Sequence, residues 1–330
     1  MPRRLLFLPL VLCCRILEIT LRVVRRLVPS SRSYLFSLGS DHATIVHHHL
    51  LNFGVPPRLK APVTYAEKMS WLKLHHDNPL ANICSDKIAV RQYLALKGLV
   101  HLEVPIVAIF ENAAEIELNA LPPRFVAKTN HGSNFFLIVK DESMLDRAHL
   151  IRQFDTWLSW DFSRWFAETN YRGIKPRILV EEYIEGADTM VEYKFLCFHG
   201  RPRFVSVITS RQNDTPVRSV YDMDWQLQSY GSRGLIADPV ARPRPANFDQ
   251  LRDIAEVLSR DFIHVRVDLM VVGDRMLFSE LTFYNLGGFA RIEPEPMNEE
   301  IGSWMDLSRE AEYAQRGRNI AGELDVSGPG

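Results

Sequence analysis

HVRVDLMVVGDRMLFSELTF, residues 264–283, is the stretch that decides how this chain folds. Two runs rich in valine, leucine and methionine flank Gly273-Asp274-Arg275, a pattern typical of two antiparallel strands joined by a tight turn. We therefore expect a β-hairpin here, with charged residues in both of its strands.

The register of this hairpin decides which charged side chains meet. Side chains of a strand alternate between its two faces, so Arg266 and Asp268 share one face. A three-residue turn places Asp268 opposite Glu280, and it also places Arg266 opposite Thr282. A two-residue turn sends the two acids to opposite faces. In the first register the acids and the guanidinium converge beside the core, where a cation is their natural partner. The alternative is an amphipathic hairpin whose polar face lies in water.

Composition excludes some partners. The 330 residues carry a formal net charge of −1 with both signs mixed, so a nucleic-acid partner is not expected. The length suits one enzyme of several lobes or two domains. No pair among the four cysteines has the spacing of a metal knuckle or a redox motif, which favours a reduced, cytoplasmic setting: Cys13, Cys14, Cys84 and Cys197.

Residues 1–30 break the even charge distribution. Six arginines face the single acid Glu18, and the apolar run Leu5 to Cys14 is too short to span a bilayer. The spacing of the apolar residues suits a basic amphipathic helix lying on an anionic membrane surface, on the inner face of the membrane. The predicted stripe is Leu10, Cys14, Leu17, Leu21, Val24 and Val28. The alternatives are a helix packed on the protein body or a disordered leader.

Two segments in the middle of the chain have the composition of a ligand site. Arg124 to Thr129 and Phe135 to Lys140 read as strands, and the polar loop between them, residues 130–134, could cradle phosphate oxygens beside Lys128. An ordinary hairpin turn is the alternative. The apolar strand Arg177 to Ile184 closes with two acids, which suits a cleft edge.

Two further segments complete the reading. Residues 211–247 are turn-rich, and such an irregular segment in an enzyme is commonly substrate-facing or a lid. The adjacent histidines His47, His48 and His49 lack the spacing of a metal site, and we expect them at the surface or facing a partner.

Seven segments follow one another in a characteristic order: KMSWLKLHHDNPL, SDKIAVRQYL, FVAKTNHGSN, PRILVEEYIEG, EYKFLCFHGRPRFV, YDMDWQ and FIHVRVDLM…GDRMLFSELTF. In this order they resemble the TupA-like branch of the ATP-grasp superfamily, which is associated with teichuronopeptide and other bacterial polysaccharide biosynthesis. The resemblance covers about residues 68–307.

The resemblance implies an α+β ATP-grasp fold with the nucleotide cleft between two α+β lobes, preceded here by the basic N-terminal helix. The implied division is residues 1–60 (N-terminal segment and linker), 61–122 (N-terminal lobe), 123–190 (lobe with phosphate loop and hinge), 191–310 (C-terminal lobe with the hairpin) and 311–330 (polar tail).

The resemblance also assigns roles residue by residue. Phosphate-binding residues would be Lys87, Lys128, His131, Gly132, Ser133 and Asn134. The adenine hinge and ribose contacts would come from Glu181, Glu182, Tyr183, Ile184 and Asp188. Lys194 and Arg266 would act on the transferring phosphoryl group, and Mg²⁺ would be held by Asp268 and Glu280.

The chain departs from the family pattern at two points. The phosphate loop has one glycine where a second is usual. Thr282 stands where an asparagine commonly follows the metal glutamate, so a second of two Mg²⁺ ions depends on Thr282 or Asn285.

The resemblance and the residue roles that it assigns imply an ATP-dependent carboxylate–amine ligase that acts through an acyl phosphate. For this branch the acid would be a carboxylate-bearing glycan or its precursor, with an amine as acceptor. The alternatives are a kinase or glycosyltransferase of the same pathway, or a nucleotide-binding partner subunit with degraded chemistry.

Overall fold

The computed structural model describes residues 7–27, 39–141, 145–209, 217–229, 231–232, 236–237 and 241–324. These residues form an α+β fold, as expected. In chain order, the helices α1 to α9 are Leu8–Leu27, Asp41–Phe53, Tyr65–His75, Pro79–Ser85, Val90–Leu96, Arg147–Leu158, Phe248–Ser259, Glu295–Ser303 and Glu310–Glu323.

The described strands form three sheets: a six-stranded and a four-stranded sheet that are mainly antiparallel, and a two-stranded pair. The strands β1 to β12 are Ile106–Phe110, Phe125–Thr129, Phe136–Val139, Ile178–Glu182, Val191–Phe198, Arg201–Thr209, Val217–Asp222, Gly231–Ser232, Ile236–Ala237, His264–Val272, Arg275–Thr282 and Ile292–Glu293. The four-stranded sheet has the order β1-β4-β2-β3, the six-stranded sheet has the order β11-β10-β5-β6-β7-β9, and the two-stranded pair is β8–β12. In the larger sheet only the short β7–β9 pair, within the described strands, is parallel.

The six-stranded sheet has one apolar face and one charged face. Helix α7 packs on the apolar face and buries Phe248, Leu251, Ala255 and Leu258 completely. Each fully buried leucine or phenylalanine contributes about 1.5–3 kcal/mol, so this helix fixes the sheet firmly. Since side chains alternate, the charged residues of β5 and β10 point away from α7.

The four-stranded sheet has an apolar core of its own. Phe125, Ala127 and Val180 pack with Leu150 and Phe154 of helix α6. Strand β1, from the segment predicted as an N-terminal lobe, pairs with β4 and so joins this sheet. The predicted domain division as a whole stays a prediction.

The hairpin β10–β11 has the predicted pairs but a different turn. Val272 pairs with Arg275, so the turn contains two residues, not the three predicted. A β-bulge after Phe278 adds one residue to β11, which brings Asp268 opposite Glu280. The bulge supplies the register shift that we attributed to a longer turn.

The N-terminal helix α1 packs on α2 and leaves much of its apolar surface exposed. Val11 is buried, whereas Leu8, Leu12, Ile16 and Ile19 are each more than half exposed. Leu10 and Leu17 of the predicted stripe are exposed as well, and the side chains of residues 20–30 lie outside the described part. Among the described helices, none combines the length and apolarity needed to cross a bilayer.

The prediction for the three histidines is wrong. His47 and His49 are buried in α2, and His47 lies 3.6 Å from Glu18 of α1. His48 packs against Phe166 and Phe289. The segment predicted as a polar tail begins with α9, which buries Tyr313 and Gly317 against the region of α4.

Candidate active site

Arg266 is the centre of the charged face of the hairpin. Its Nε and Nη2 donate to the two oxygens of Asp268, both at 2.6 Å. Nη2 also donates to Glu280 Oε1 at 3.2 Å and to Thr282 Oγ1 at 3.0 Å. Nη1 donates to Asn285 Oδ1. One guanidinium therefore contacts all four side chains that the sequence proposes as metal ligands.

Lys194 joins this cluster from the neighbouring strand. It lies directly opposite Asp268 in the β5–β10 register, and its ammonium contacts Asp268 Oδ2. Glu192 Oε2 lies 3.2 Å from the same ammonium. Asp268 is almost completely buried, and its carboxylate is paired with both Arg266 and Lys194.

The cluster holds Glu280 ionised at neutral pH. Burial raises the pKa of Glu280, but Arg266, Lys194 and Lys87 outweigh it and bring the pKa down to about 2. Burial lowers the pKa of Arg266, yet the neighbouring acids Asp268 and Glu280 hold it above its ordinary value. Charged carboxylates beside fixed cations are the donor set expected for a metal–phosphate site.

Asn285 opens a tight turn, residues 285–288, at the end of β11. Leu286 and Gly287 both have positive φ, and a Cβ on Gly287 would lie 2.6 Å from Phe166. The buried ammonium of Lys73 contacts Gly287 O and donates to Phe166 O at 2.7 Å. Helix α3 thereby fixes the turn that carries Asn285.

The four-stranded sheet supplies a second charged group. Lys128 Nζ lies 2.6 Å from Glu181 Oε2, and Arg91 Nη2 lies 3.3 Å from the other oxygen of Glu181. Lys128 and Glu181 line one small cavity with Phe278 and Ser279 of the bulged strand β11. Lys128 and Glu181 of the smaller sheet therefore meet strand β11 of the hairpin across a narrow cleft.

Lys87 lies between the two halves of this cleft. Its ammonium donates to Gly132 O at 2.8 Å. Desolvation lowers the pKa of Lys87 to about 8; Glu280 opposes this effect and Lys128 adds to it. Charged groups of both sheets therefore shift the pKa of Lys87, which agrees with its proposed position at a phosphate chain.

The phosphate loop is anchored by aromatic residues outside it. The ring of His131 is buried, with Nε2 3.1 Å from Trp160 O, and burial lowers its pKa to about 4. Gly132 has φ +75, and a Cβ there would lie 2.8 Å from Phe162. Ser133 and Asn134 are exposed at the tip. The loop is therefore stiff at its base and open at its tip.

The predicted hinge, residues 181–184, is only partly exposed to the cleft. The backbone N–H of Glu182 donates to Pro105 O at 3.1 Å, and its side chain is exposed. Tyr183 and Ile184 are partly buried, and Arg124 lies over the Tyr183 ring. The side chain of Asp188 lies outside the described residues. The adenine and ribose contacts stay a prediction.

The residues present fit ATP and Mg²⁺. In the described part of the chain, three or more His, Cys, Asp or Glu side chains nowhere form a group that could hold a metal by themselves. Mg²⁺ commonly takes one or two carboxylates and completes its shell with phosphate oxygens and water. Asp268 and Glu280 would supply such a pair, since they lie opposite each other, and Lys87 and Lys128 would supply cations for the phosphates.

Sequence reasoning missed some residues of this region. Arg91 follows Lys87 by one helical turn in the same segment, and that spacing could have identified it. Lys73 of α3 and Glu168 of the loop after α6 are both buried and interact electrostatically. Desolvation lowers the pKa of Lys73 to about 7 and raises the pKa of Glu168 to about 7, and each group opposes the shift of the other. No local pattern marks Glu168, because its partner is 95 residues away.

Comparison with known proteins supports the family. The family model described as TupA-like ATPgrasp matches residues 67–306, more than half of the chain. A comparison with curated proteins finds no match.

Similar solved structures include D-alanine–D-alanine ligase from Bacillus anthracis complexed with ATP, at 16% identity and a TM-score of 0.39, over 77% of this chain and 69% of that one. D-cycloserine synthetase is similar at 17% identity and a TM-score of 0.36, over 75% and 72%. L-amino acid ligase from Bacillus licheniformis is similar at 17% identity and a TM-score of 0.36, over 60% and 42%. At these values the likeness does not extend to substrates.

The family match confirms the predicted resemblance and agrees with the predicted enzyme class, an ATP-dependent ligase: the chain belongs to the TupA-like ATP-grasp family.

Proposed function

We propose that this protein is an ATP-dependent carboxylate–amine ligase. A substrate carboxylate attacks the γ-phosphorus of ATP, which gives an acyl phosphate and ADP. An amine then attacks the acyl carbon, phosphate leaves, and an amide forms. The observation that carries the proposal is the pairing of Asp268 with Glu280 around Arg266, in a hairpin whose strand β11 lines one cavity with Lys128.

The chain's own cations perform most of the proposed work. Arg266 stays protonated beside two acids, so it can neutralise the charge that develops on the transferring phosphoryl group. Lys194, on the adjacent strand, adds a second positive charge to the same face. Lys87 and Lys128 would hold the remaining phosphates from the other side. Mg²⁺ bound by Asp268 and Glu280 would orient and neutralise phosphate oxygens.

The experiment is an assay of ADP and phosphate release with and without an amine. A ligase needs both the acid and the amine for sustained turnover. A kinase, which the same phosphate-binding cations would also serve, needs no amine and leaves a stable phosphorylated product. Screening uronic acids against amino acids tests the substrate class that the family resemblance suggests, a carboxylate on a bacterial cell-surface glycan or its precursor. ADP formation that is independent of every acid would overturn the ligase proposal.

We also propose that α1 contacts an anionic membrane surface. Support comes from the exposed apolar residues of α1 together with the arginines of residues 1–30. Replacing Leu12 and Ile16 by Gln should lower partition onto phosphatidylglycerol vesicles, with phosphatidylcholine vesicles as the neutral comparison. Val107 and Ile109, each 37% exposed on β1, provide a matched pair of Gln substitutions. Equal partition of the two double variants onto phosphatidylglycerol vesicles would contradict the proposed membrane contact.

A further inference from the structure

A small pocket lies on the charged face of the six-stranded sheet, beside Arg266 and away from the predicted nucleotide hinge. Its polar lining is Lys194, Ser206, Arg218, Arg266 and Asn285. Its volume is about 40 Å³, which is room for roughly two or three water-sized groups. A carboxylate group, with three heavy atoms, is of this size.

Sheet register explains why these residues meet. Lys194 lies directly between Asp268 of β10 and Ser206 of β6. Arg218 pairs with Ile208, two residues beyond Ser206 on the same face. The charged row of the hairpin therefore continues across β5 and β6 to Arg218, which none of the residue roles above includes.

Arg218 is held in a fixed direction. Its Nε and Nη2 donate to Ser206 Oγ at 3.1 and 2.9 Å. Because Ser206 already restricts this guanidinium, the side chain loses little further conformational entropy when an anion binds. Its planar fork also matches the geometry of a carboxylate. Tyr65, Leu196 and Ile292 form the apolar side of the pocket, which lowers the local dielectric and strengthens the attraction.

The charged side chains that line the pocket favour an anion, because they are all cationic. Lys194 and Arg266 are paired with Asp268, Glu192 and Glu280, but none of these acids lines the pocket. Arg218 adds a third positive group at the opposite wall. An anion placed between Arg218 and Lys194 would lie beside Arg266, the residue proposed to act at the phosphoryl group.

We propose that Arg218, oriented by Ser206, binds the carboxylate of the substrate acid. The proposal rests on the proposed ligase function, because it takes Arg266 as the neighbour of the reacting phosphoryl group. Arg218 would thereby select acids over neutral sugars. It would also place the carboxylate on the hairpin side of the cleft.

The test is calorimetric titration of D-glucuronate, malonate and acetate into the full chain, with D-glucose as the neutral comparison. Wild-type protein should bind at least one carboxylate and not glucose. Arg218→Gln should weaken that binding at least tenfold, Arg218→Lys should restore part of it, and Ser206→Ala should have an intermediate effect. ATP affinity should stay within twofold in all three variants. Arg201→Gln, at an exposed position on the same strand β6, is the matched control and should behave as wild type.

The outcomes separate this proposal from the ligase proposal. Equal carboxylate affinity in Arg218→Gln, equal losses of ATP and carboxylate binding, or a wild-type protein that binds no carboxylate would each overturn the role of Arg218. Carboxylate binding that depends on Arg218, in a protein that forms no amide with any acid and amine, would support the pocket and overturn the ligase. If the protein forms an amide and its KM for the acid is unchanged in Arg218→Gln, the ligase proposal is supported and the role of Arg218 is contradicted.

Discussion

The six-stranded sheet carries its site residues within strands, whereas the four-stranded sheet carries them at a strand end and in the loop beyond it. Arg266, Asp268 and Glu280 belong to regular ladders. Lys128 lies one residue before β2 ends, and His131 and Gly132 follow in the loop. The candidate site therefore has two halves. Strand register positions the hairpin half on the six-stranded sheet, and contacts from elsewhere in the chain position the loop half on the four-stranded sheet.

This difference predicts different consequences for substitutions in the two halves. In the hairpin, removing one charge leaves other buried charges without their partners, so activity and stability should change together. In the loop half, removing Lys128 leaves Glu181 with a second partner, Arg91, so nucleotide affinity should change with little loss of stability.

The largest effect is expected for the acid pair. Asp268→Asn and Glu280→Gln should each lower Mg²⁺-dependent ADP formation on the order of 1000-fold, the upper range for loss of a positioned charge at a reacting centre. Asp268→Asn should also destabilise the fold by about 3–5 kcal/mol, because Arg266 and Lys194 lose their shared buried partner. Steady-state kinetics and thermal unfolding measure the two effects.

Asp274→Asn is the matched control for the acid pair. Asp274 is exposed at the turn of the same hairpin, so its loss should leave rate and unfolding temperature unchanged. Because Glu280 is 30% exposed, Glu280→Gln should fold even where Asp268→Asn does not. Full activity of both acid variants would contradict the metal assignment.

The second effect concerns the lysine of the opposite sheet. Lys128→Met should raise KM for ATP roughly 10- to 100-fold, as expected when one charge-assisted contact of about 1.5–3 kcal/mol is lost. Unfolding temperature should change little in comparison with Asp268→Asn. Lys175→Met is the control, since Lys175 forms its ion pair with Glu111 at an exposed position. A KM for ATP that does not respond to Lys128→Met would show that this lysine points at another ligand.

How far the sequence predicts the molecule follows the same division. Period-two alternation predicts that Arg266 and Asp268 share a face, because strand geometry is local. Whether Glu280 joins them was left open between two turn lengths, and the two-residue turn that forms would by itself have separated the two acids. The bulge after Phe278 restores the pairing, and alternation does not reveal this bulge because an extra residue leaves no mark in an apolar pattern. The contact of His47 with Glu18 was missed because it depends on α1, and the contact of His48 with Trp165 was missed because the two residues are 117 positions apart.

The third effect uses pH to test the residue between the two halves. Lys87 has a folded-state pKa of about 8, below its ordinary value, so its charge is present at neutral pH and is lost as pH rises through about 8. If Lys87 binds phosphate, kcat/KM for ATP should fall about tenfold for each pH unit above that value.

Stability should move in the opposite direction over the same range. The unfolded chain keeps the Lys87 proton up to the ordinary lysine pKa, so unfolding takes up a proton between about pH 8 and that value, and the fold gains stability as pH rises. Lys87→Arg keeps its charge at every relevant pH and should remove the fall in kcat/KM. The same fall in Lys87→Arg would assign the titration to another group.

The smallest effect distinguishes packing from backbone strain in the phosphate loop. Gly132 and Gly173 have nearly equal positive φ values, +75 and +78, so alanine at either position incurs a similar backbone cost. Only at Gly132 would the new Cβ meet a neighbour, Phe162 at 2.8 Å, whereas at Gly173 nothing lies within 4 Å. Gly132→Ala should therefore unfold at a lower temperature than Gly173→Ala, and it should raise KM for ATP several-fold. Equal unfolding temperatures and equal KM values for the two variants would mean that aromatic packing does not position this loop, and the contrast between the two halves of the cleft would fail at that point.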